Sequence, residues 1–329
     1  MIKLATIGTS WITKQFIEAV LKTGKYTVTK VYSRNLRKAQ DFVQEVACGQ
    51  GVDNFNDLYG PDVDMVYIAS PNALHFEQAM QMLEHGKHVI VEKPQVETVK
   101  QWEQLHQLAK EKNLYVFDAV RHIHTDNYRY LYELVTREIQ NTDYPFLGGH
   151  FSLGQYSSKY DLYIKSMETG ETGPNIFNPE FSGGSLMDLG VYPLYIALGL
   201  FGPPHSFTYH YVPGSNDIDV MGTLVLDYEQ FMMSIFISKG VHSRQKNEIY
   251  IQDKTIEISH ISELTQIQLL DRQDQVLDAF NKETDNPMID EANFFADTFN
   301  GVISEDIYLE CEQLSYQVIH ILEALRGDV

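Results

Sequence analysis

A lysine, an aspartate and a tyrosine stand where this 329-residue chain could do chemistry. Lys93 lies in His88-Val89-Ile90-Val91-Glu92-Lys93-Pro94, an apolar run too short for a helix that stops at an acid, a lysine and a proline. Such a run suits a parallel strand covered on both faces, and Pro94 ends it while holding Lys93 extended. An ammonium is thereby placed at a strand's carboxyl end, the edge at which open α/β sheets bind ligands. Lys93 is a candidate general acid/base or substrate anchor. The second constellation is Gly183-Gly184-Ser185-Leu186-Met187-Asp188-Leu189-Gly190-Val191-Tyr192-Pro193. On a helix Asp188 and Tyr192, four apart, share a face, so a carboxylate and a phenol can enter one cleft. Taken alone, an acid and an aromatic at that spacing are more often a surface group and a core ring, and a strand-end lysine is more often a solvated charge.

Those side chains need a scaffold, and the hydrophobic period supplies one. It predicts strands over 2–7, 26–32 and 63–69, the strand ending at Lys93, and a strand over 114–117. Helices are predicted between them over 11–22, 36–46, 73–84 and 99–110, the first with Ile12, Phe16, Ala19 and Val20 on one face. Strands and helices alternating in this way predict a right-handed, doubly wound parallel sheet over residues 1–120.

The first strand-to-helix turn reads Gly8-Thr9-Ser10-Trp11-Ile12-Thr13. A dinucleotide turn wants glycines for tightness, for approach of the pyrophosphate and for helix packing. Only Gly8 meets that demand; Ser10 and Thr13 are small substitutes, and the Ser10 hydroxyl can donate to a phosphate. At the end of the second strand an NAD site usually carries an acid for the ribose. This chain instead has Tyr32-Ser33-Arg34-Asn35, then Arg37 and Lys38, a basic corner in a chain of formal charge -20. Basic residues at a helix start oppose its dipole, whereas a guanidinium there suits a 2′-phosphate. NADP is the expected cofactor, with NAD possible, at Gly8, Thr9, Ser10, Trp11, Ile12, Ser33, Arg34 and Arg37. The third strand ends in Ser70-Pro71-Asn72-Ala73-Leu74-His75. Ser70 or Asn72 can cap the helix that follows, and His75 could face the cofactor or the surface.

Gly8-Thr9-Ser10-Trp11-Ile12, Ser70-Pro71-Asn72 with His75, Gly86-Lys87-His88-Val89 and Glu92-Lys93-Pro94 together resemble the Gfo/Idh/MocA family of oxidoreductases. The resemblance implies a Rossmann domain followed by a C-terminal α/β domain, here 121–329, whose large, open, mostly antiparallel sheet covers the nicotinamide and often forms a subunit interface. A homodimer or homotetramer is the implied assembly. Ser70, Pro71, Asn72, His75, Glu92 and Lys93 are then cofactor-side residues. Lys93 is placed beside the reacting carbon, positioned by Glu92 and Pro94, often through a cis Lys-Pro bond. Where the family commonly has a proton-transferring histidine this chain has Tyr192, which is similar to the branch containing dihydrodiol and xylose dehydrogenases. A phenol gives up its proton well above neutrality, so Tyr192 would need a nearby cation, and Lys93 could supply that charge. The implied reaction exchanges a hydride between the nicotinamide and a secondary alcohol or carbonyl of a sugar, polyol or trans-diol in a cleft between the domains. Tyr192 would exchange the proton, Lys93 would hold the reacting oxygen, Asp188 would orient substrate hydroxyls or Lys93, and Arg121, His122 and Asn178 would shape the pocket. Two alternatives stay open: a dinucleotide-binding sensor without turnover, and a reductase of another carbonyl or an imine.

The second half departs from strand-helix alternation. A helix over 126–139 precedes a β pattern from 144, and 154–182 reads as a long loop offering Tyr156, Tyr160, Asn175 and Asn178 as hydroxyl contacts. Strands recur over 206–280, and helices near 287–299 and 306–326 close the chain. The acidic charge argues against nucleic-acid and anionic-membrane binding. Cys48 and Cys311, the only two cysteines, support neither a disulfide framework nor a cysteine metal site, and the histidines show no ligand spacing, so no metal is expected. Met1-Ile2-Lys3 leads directly into a strand-like run, so no secretion signal is expected, and the most apolar later stretch, 194–201, reads as too short for a bilayer. A cytoplasmic location is the expectation.

Overall fold

A computed structural model describes residues 1–141, 148–171 and 173–327. Strand β1 (Ile2–Ile7) is buried at every position but one, as a strand covered on both faces must be. Helix α1 (Trp11–Thr23) buries Phe16, Ile17, Ala19 and Val20 and stops at Gly24, whose left-handed backbone lets its N–H reach the Leu21 carbonyl. The chain continues through β2 (Tyr26–Tyr32), α2 (Leu36–Val46), β3 (Gln50–Val52), β4 (Met65–Ile68), α3 (His75–Glu84), β5 (His88–Glu92), α4 (Val99–Lys112) and β6 (Val116–Ala119). All neighbouring strands pair in parallel, in the order β3-β2-β1-β4-β5-β6. This doubly wound order reverses between β1 and β4, which sets the carboxyl ends of β1, β4 and β5 side by side. The three-residue β3 escaped sequence reading because it is too short to show a period.

The second unit opens with α5 (Asp126–Gln140), whose first turn is capped by the Thr125 hydroxyl accepting from Tyr128 N–H. Then come β7 (Gly148–Gly154), α6 (Tyr160–Thr169), a π-helical turn at Leu186–Gly190 and α7 (Val191–Phe201). The β pattern expected from 144 lies outside the described residues as far as 147. Strands β8 (Ser206–Pro213), β9 (Asp219–Asp227), β10 (Met232–Ser238), β11 (Asn247–Ile251), β12 (Lys254–Ile258), β13 (Ile267–Asp271) and β14 (Val276–Phe280) complete a sheet of order β14-β13-β12-β11-β7-β10-β9-β8. Every pair is antiparallel except β7 with β10. Buried and half-exposed positions alternate along β11 and most of β9, the mark of a sheet covered on one face.

Two features correct the sequence expectation. The stretch over 154–182 is not all loop: α6 places Tyr160, Tyr163 and Met167 along one side, where they pack with Phe177, Ile218 and Val220 in a small separate core. The closing helices α8 (Ile289–Phe299) and α9 (Glu305–Arg326) were expected to lie with the second domain. The first compact unit instead comprises Met1–Arg121 with Asp285–Ile319, and the second His122–Thr284 with His320–Val329. The reason is a shared core: Ala292, Phe295, Ala296 and Tyr308 pack with Phe16, Tyr26, Tyr67 and Phe117. Specific bonds reinforce it, from Tyr26 hydroxyl to Ala292 carbonyl (2.7 Å) and from Asn286 to the Gln15 carbonyl (2.8 Å). The apolar stretch at α7 is also longer than sequence suggested. Residues 179–201 have the length and composition of a membrane span, with 72% of the apolar window inside the fold.

Candidate active site

The turn after β1 is built for close approach. Gly8 has φ +119°, and a Cβ there would stand 2.7 Å from the Ala69 carbonyl oxygen, so only glycine fits. Ser10 and Thr13 replace the other glycines of a dinucleotide turn, their hydroxyl oxygens 3.3 Å apart. Ser10 makes no side-chain cap to α1, and the first turn of that helix contains no acid. The positive end of a 13-residue helix is thereby left to an anion. Beside it, Thr9 and Ile12 are at most half-exposed and Trp11 is 72% exposed. At the end of β2, Asn35 caps α2 by accepting from Lys38 N–H, and the Ser33 hydroxyl accepts from Asn35 N–H. That leaves Arg34 and Arg37 on the surface; the Arg37 contact with Asp41, 4.0 Å long, joins two exposed side chains and holds little energy. Glycine turn, open helix start and basic corner fit a phosphorylated dinucleotide.

Lys93 follows β5 on this same sheet edge, half-buried, and its bond to Pro94 is cis, as the resemblance implied. Its neighbour Glu92 turns inward and accepts a 2.5 Å hydrogen bond from the Tyr67 hydroxyl of β4, while the Tyr67 ring stacks on Phe16 of α1 at 3.9 Å. His75 is buried at 0% exposure, neither on the surface nor open to a ligand. Its Nδ1 lies 3.0 Å from the Pro94 carbonyl and its Nε2 2.8 Å from the Ser70 carbonyl, tying the turn after β4 to the turn after β5. Burial pushes the His75 pKa down, helped by the charge of Lys93, against the pull of the two carbonyls. Ser70 does not cap α3; its hydroxyl donates to Gln78 at 2.7 Å. Pro71 and Asn72 are half-exposed at the start of the short helical turn before α3. Arg121 begins another such turn after β6.

Beneath Glu92 lies an acid that sequence reading missed. Glu291 of α8 is 0% exposed, and neither carboxyl oxygen has a hydrogen-bond partner among the described residues. Burial, then the charges of Glu92 and Asp118, raise its pKa well above the carboxylate range against the opposing pull of Arg121. A folded-state pKa raised above the unfolded one gives stability that is complete below the unfolded value and is lost as pH rises through the folded one. Glu291→Gln should therefore melt like the parent near pH 4, below the ordinary glutamate pKa of about 4.3, and be more stable at pH 8 by about 1–3 kcal/mol. Thermal unfolding at the two pH values checks this, and a variant less stable at pH 8 would show that the folded chain uses a charged Glu291.

In the second unit Asp188 lies in the π-turn and Tyr192 in the first turn of α7. The expected continuous α-helix is interrupted because Pro193 has no N–H to return to the Leu189 carbonyl. Asp188 Oδ2 is 2.8 Å from Nζ of Lys239, a residue 2% exposed. From sequence Asp188 is expected to serve substrate or Lys93; Lys239 is an unforeseen partner, although a lysine following β10 carries the same strand-end signal as Lys93. The Tyr192 ring lies 5.2 Å from that of His122, whose Nε2 donates to the Tyr192 carbonyl at 3.1 Å. Buried His122 thus positions the tyrosine's backbone. Asn178 Oδ1 accepts from Glu180 N–H at 3.0 Å, leaving its amide NH2 as the group suited to a ligand hydroxyl. Of the other loop candidates, Tyr156 donates to Asp161 at 2.5 Å and Tyr160 belongs to the small core.

Asp219, also unforeseen, anchors this region. Its carboxylate accepts 2.6 Å bonds from the Tyr209 hydroxyl and from Leu186 N–H, and burial pushes its pKa up to about 6. Among the described residues no group of three His, Cys, Asp or Glu side chains is placed to hold a metal.

Comparison with known proteins gives a consistent result for both units. Residues 2–119 match the family model described as oxidoreductase family, NAD-binding Rossmann fold, and residues 157–257 match the GFO/IDH/MocA C-terminal domain. The chain is 35% identical over 297 residues to the uncharacterized oxidoreductase YgjR of Escherichia coli, covering 90% of this chain and 88% of that one. It is also 35% identical over 266 residues to the NADP(+)-dependent scyllo-inositol 2-dehydrogenase IolU of Bacillus subtilis, covering 79% and 77%. Among solved structures, the 3-ketoreductase KijD10 of Actinomadura kijaniata, in complex with NADP and TDP-benzene, superposes with a TM-score of 0.82 over 99% of this chain and 97% of that one. At 20% identity that likeness speaks for the fold.

Proposed function

Because the chain belongs to the Gfo/Idh/MocA family of oxidoreductases and carries its NAD(P)-binding Rossmann domain, we propose that it is an NADP(H)-dependent dehydrogenase or reductase acting on a secondary alcohol or carbonyl of a sugar, polyol or trans-diol. The observation that carries the reading is the sheet edge on which the Gly8 turn and Lys93 end neighbouring strands about β4, with Glu92 and His75 holding the Lys93 turn from below. When bound, the cofactor gives or takes a hydride at the nicotinamide. In this reading Lys93 hydrogen-bonds the reacting oxygen, Tyr192 exchanges its proton, and Asp188 and the Asn178 amide orient substrate hydroxyls. The name of the Bacillus subtilis relative supports both an NADP cofactor and a polyol. A panel of inositols, aldoses, ketoses and trans-diols followed by NADPH absorbance tests the assignment. Tight NADPH binding without turnover of any member would favour a sensor in its place.

The basic corner after β2 is the basis for preferring NADP to NAD. Removing one charge-assisted bidentate contact should weaken binding about 10- to 100-fold. Arg34→Ala is thus expected to raise the NADP dissociation constant by that factor and to leave NAD almost untouched; equal losses for the two would remove Arg34 from phosphate recognition.

We assign the assembly to a homodimer or homotetramer through the uncovered face of the eight-stranded sheet, where Val225, Ser234, His150 and Glu248 form a half-exposed row across β9, β10, β7 and β11. A cytoplasmic location accords with the two free cysteines.

A further inference from the structure

Lys239 sits among groups that tie together two separate stretches of the second unit. A lysine at 2% exposure is rare unless it is paired. Its Nζ approaches Asp188 Oδ2 at 2.8 Å, donates to the Ile176 carbonyl at 3.1 Å, and stands 5.1 Å from the centre of the Phe177 ring. The same Ile176 carbonyl accepts from Gly184 N–H at 3.1 Å, so one oxygen joins the turn at 175–177 to the glycines that lead into the π-turn. The Lys239 backbone is equally constrained: its N–H reaches the Val220 carbonyl at 3.0 Å and the Ser185 hydroxyl oxygen at 3.2 Å, and Ser185 in turn donates to Val220 at 2.6 Å. Burying an ammonium and a carboxylate together returns little net stability compared with apolar packing. Folding alone therefore does not account for this pair, whose carboxylate side chain stays 35% exposed while its ammonium is enclosed.

The geometry points to Lys239 as a positioning residue of the substrate site: its ammonium fixes the Asp188 carboxylate and, through the Ile176 carbonyl, the turn that carries Asn178. A carboxylate that accepts and an amide that donates are then held in one arrangement, which suits a ligand with two or more hydroxyl groups. This rests on the role given to Asp188 and Asn178 in the proposed function.

The test is a double-mutant cycle on the panel member turned over fastest, with Lys239→Met, Asp188→Asn and the pair combined. Lys239→Met should lower kcat/KM about 10- to 100-fold through a misplaced carboxylate, with NADPH affinity within about twofold of the parent because the residues expected to bind the cofactor all belong to the first unit. Lys239→Arg, which keeps the charge, should recover part of the loss. On the Asp188→Asn background the Lys239 change should cost little more, since the group it positions is already gone. Parent-like kcat/KM in Lys239→Met, or losses that simply multiply, would overturn the role. Should Lys239→Met not fold, Lys239→Arg carries the same comparison, losing activity in the parent and almost none beside Asp188→Asn. Asp188→Asn with parent activity would strike at the proposed function itself, and with it this inference. A loss in Asp188→Asn without one in Lys239→Met would leave the proposed function standing and remove Lys239 alone. A panel with no turnover removes both.

Discussion

Lys93→Met is expected to lower kcat by about 10²–10⁴-fold, the usual worth of a positioned proton donor or acceptor, while NADPH still binds. Methionine keeps most of the side chain's length and apolar body, so the half-buried stem retains its packing. What is lost is the ammonium at the end of β5. The supports beneath it are untouched, since Glu92 is held by the Tyr67 hydroxyl and the Pro94 carbonyl by His75. Stopped-flow or steady-state turnover gives the rate, and NADPH titration against the indole of Trp11, 72% exposed beside the Gly8 turn, gives cofactor affinity. A parent-like rate would return Lys93 to the status of an ordinary strand-end lysine. A lost rate with lost NADPH binding would make it a cofactor ligand instead of a catalytic one.

Tyr192→Phe should cost a similar factor, about 10²–10⁴-fold in kcat, in a chain that still folds. Only an oxygen is removed: the ring beside His122 remains, and so does the backbone carbonyl that accepts from His122 Nε2. Turnover at the parent rate would sink the proton-transfer role and turn attention to other hydroxyl or imidazole groups of the second unit. The combined Lys93→Met, Tyr192→Phe variant sharpens both results. Groups that serve one reacting oxygen show losses well short of multiplicative, whereas independent groups multiply.

The two candidates differed in what made them visible along the chain. Lys93 was legible because its signal is local, an apolar run too short for a helix, cut by proline. Asp188 and Tyr192 were legible as a pair through their spacing, but the π-turn joining them was not, because its cause is the missing N–H of Pro193 acting back on Leu189. The loop expected over 154–182 concealed α6 because that helix packs on Phe177 and Ile218, residues outside its own period. His75 illustrates the limit most plainly: sequence allowed it to face the cofactor or the surface, and it does neither, being enclosed between two backbone carbonyls.

The sequence by itself determined the alternation of strands and helices, the single glycine that the β1 turn requires, the basic corner after β2 and the lysine at the end of β5, because period, turn chemistry and charge act over a few residues. Tertiary structure alone decided that α8 completes the core of the first unit, that Glu291, its pKa raised by burial, lies close to Glu92, and that Lys239 holds Asp188. Each of these joins groups distant along the chain, and each is set by burial: an apolar face finds the core that accepts it, and an enclosed charge finds a partner or gives up its ionisation.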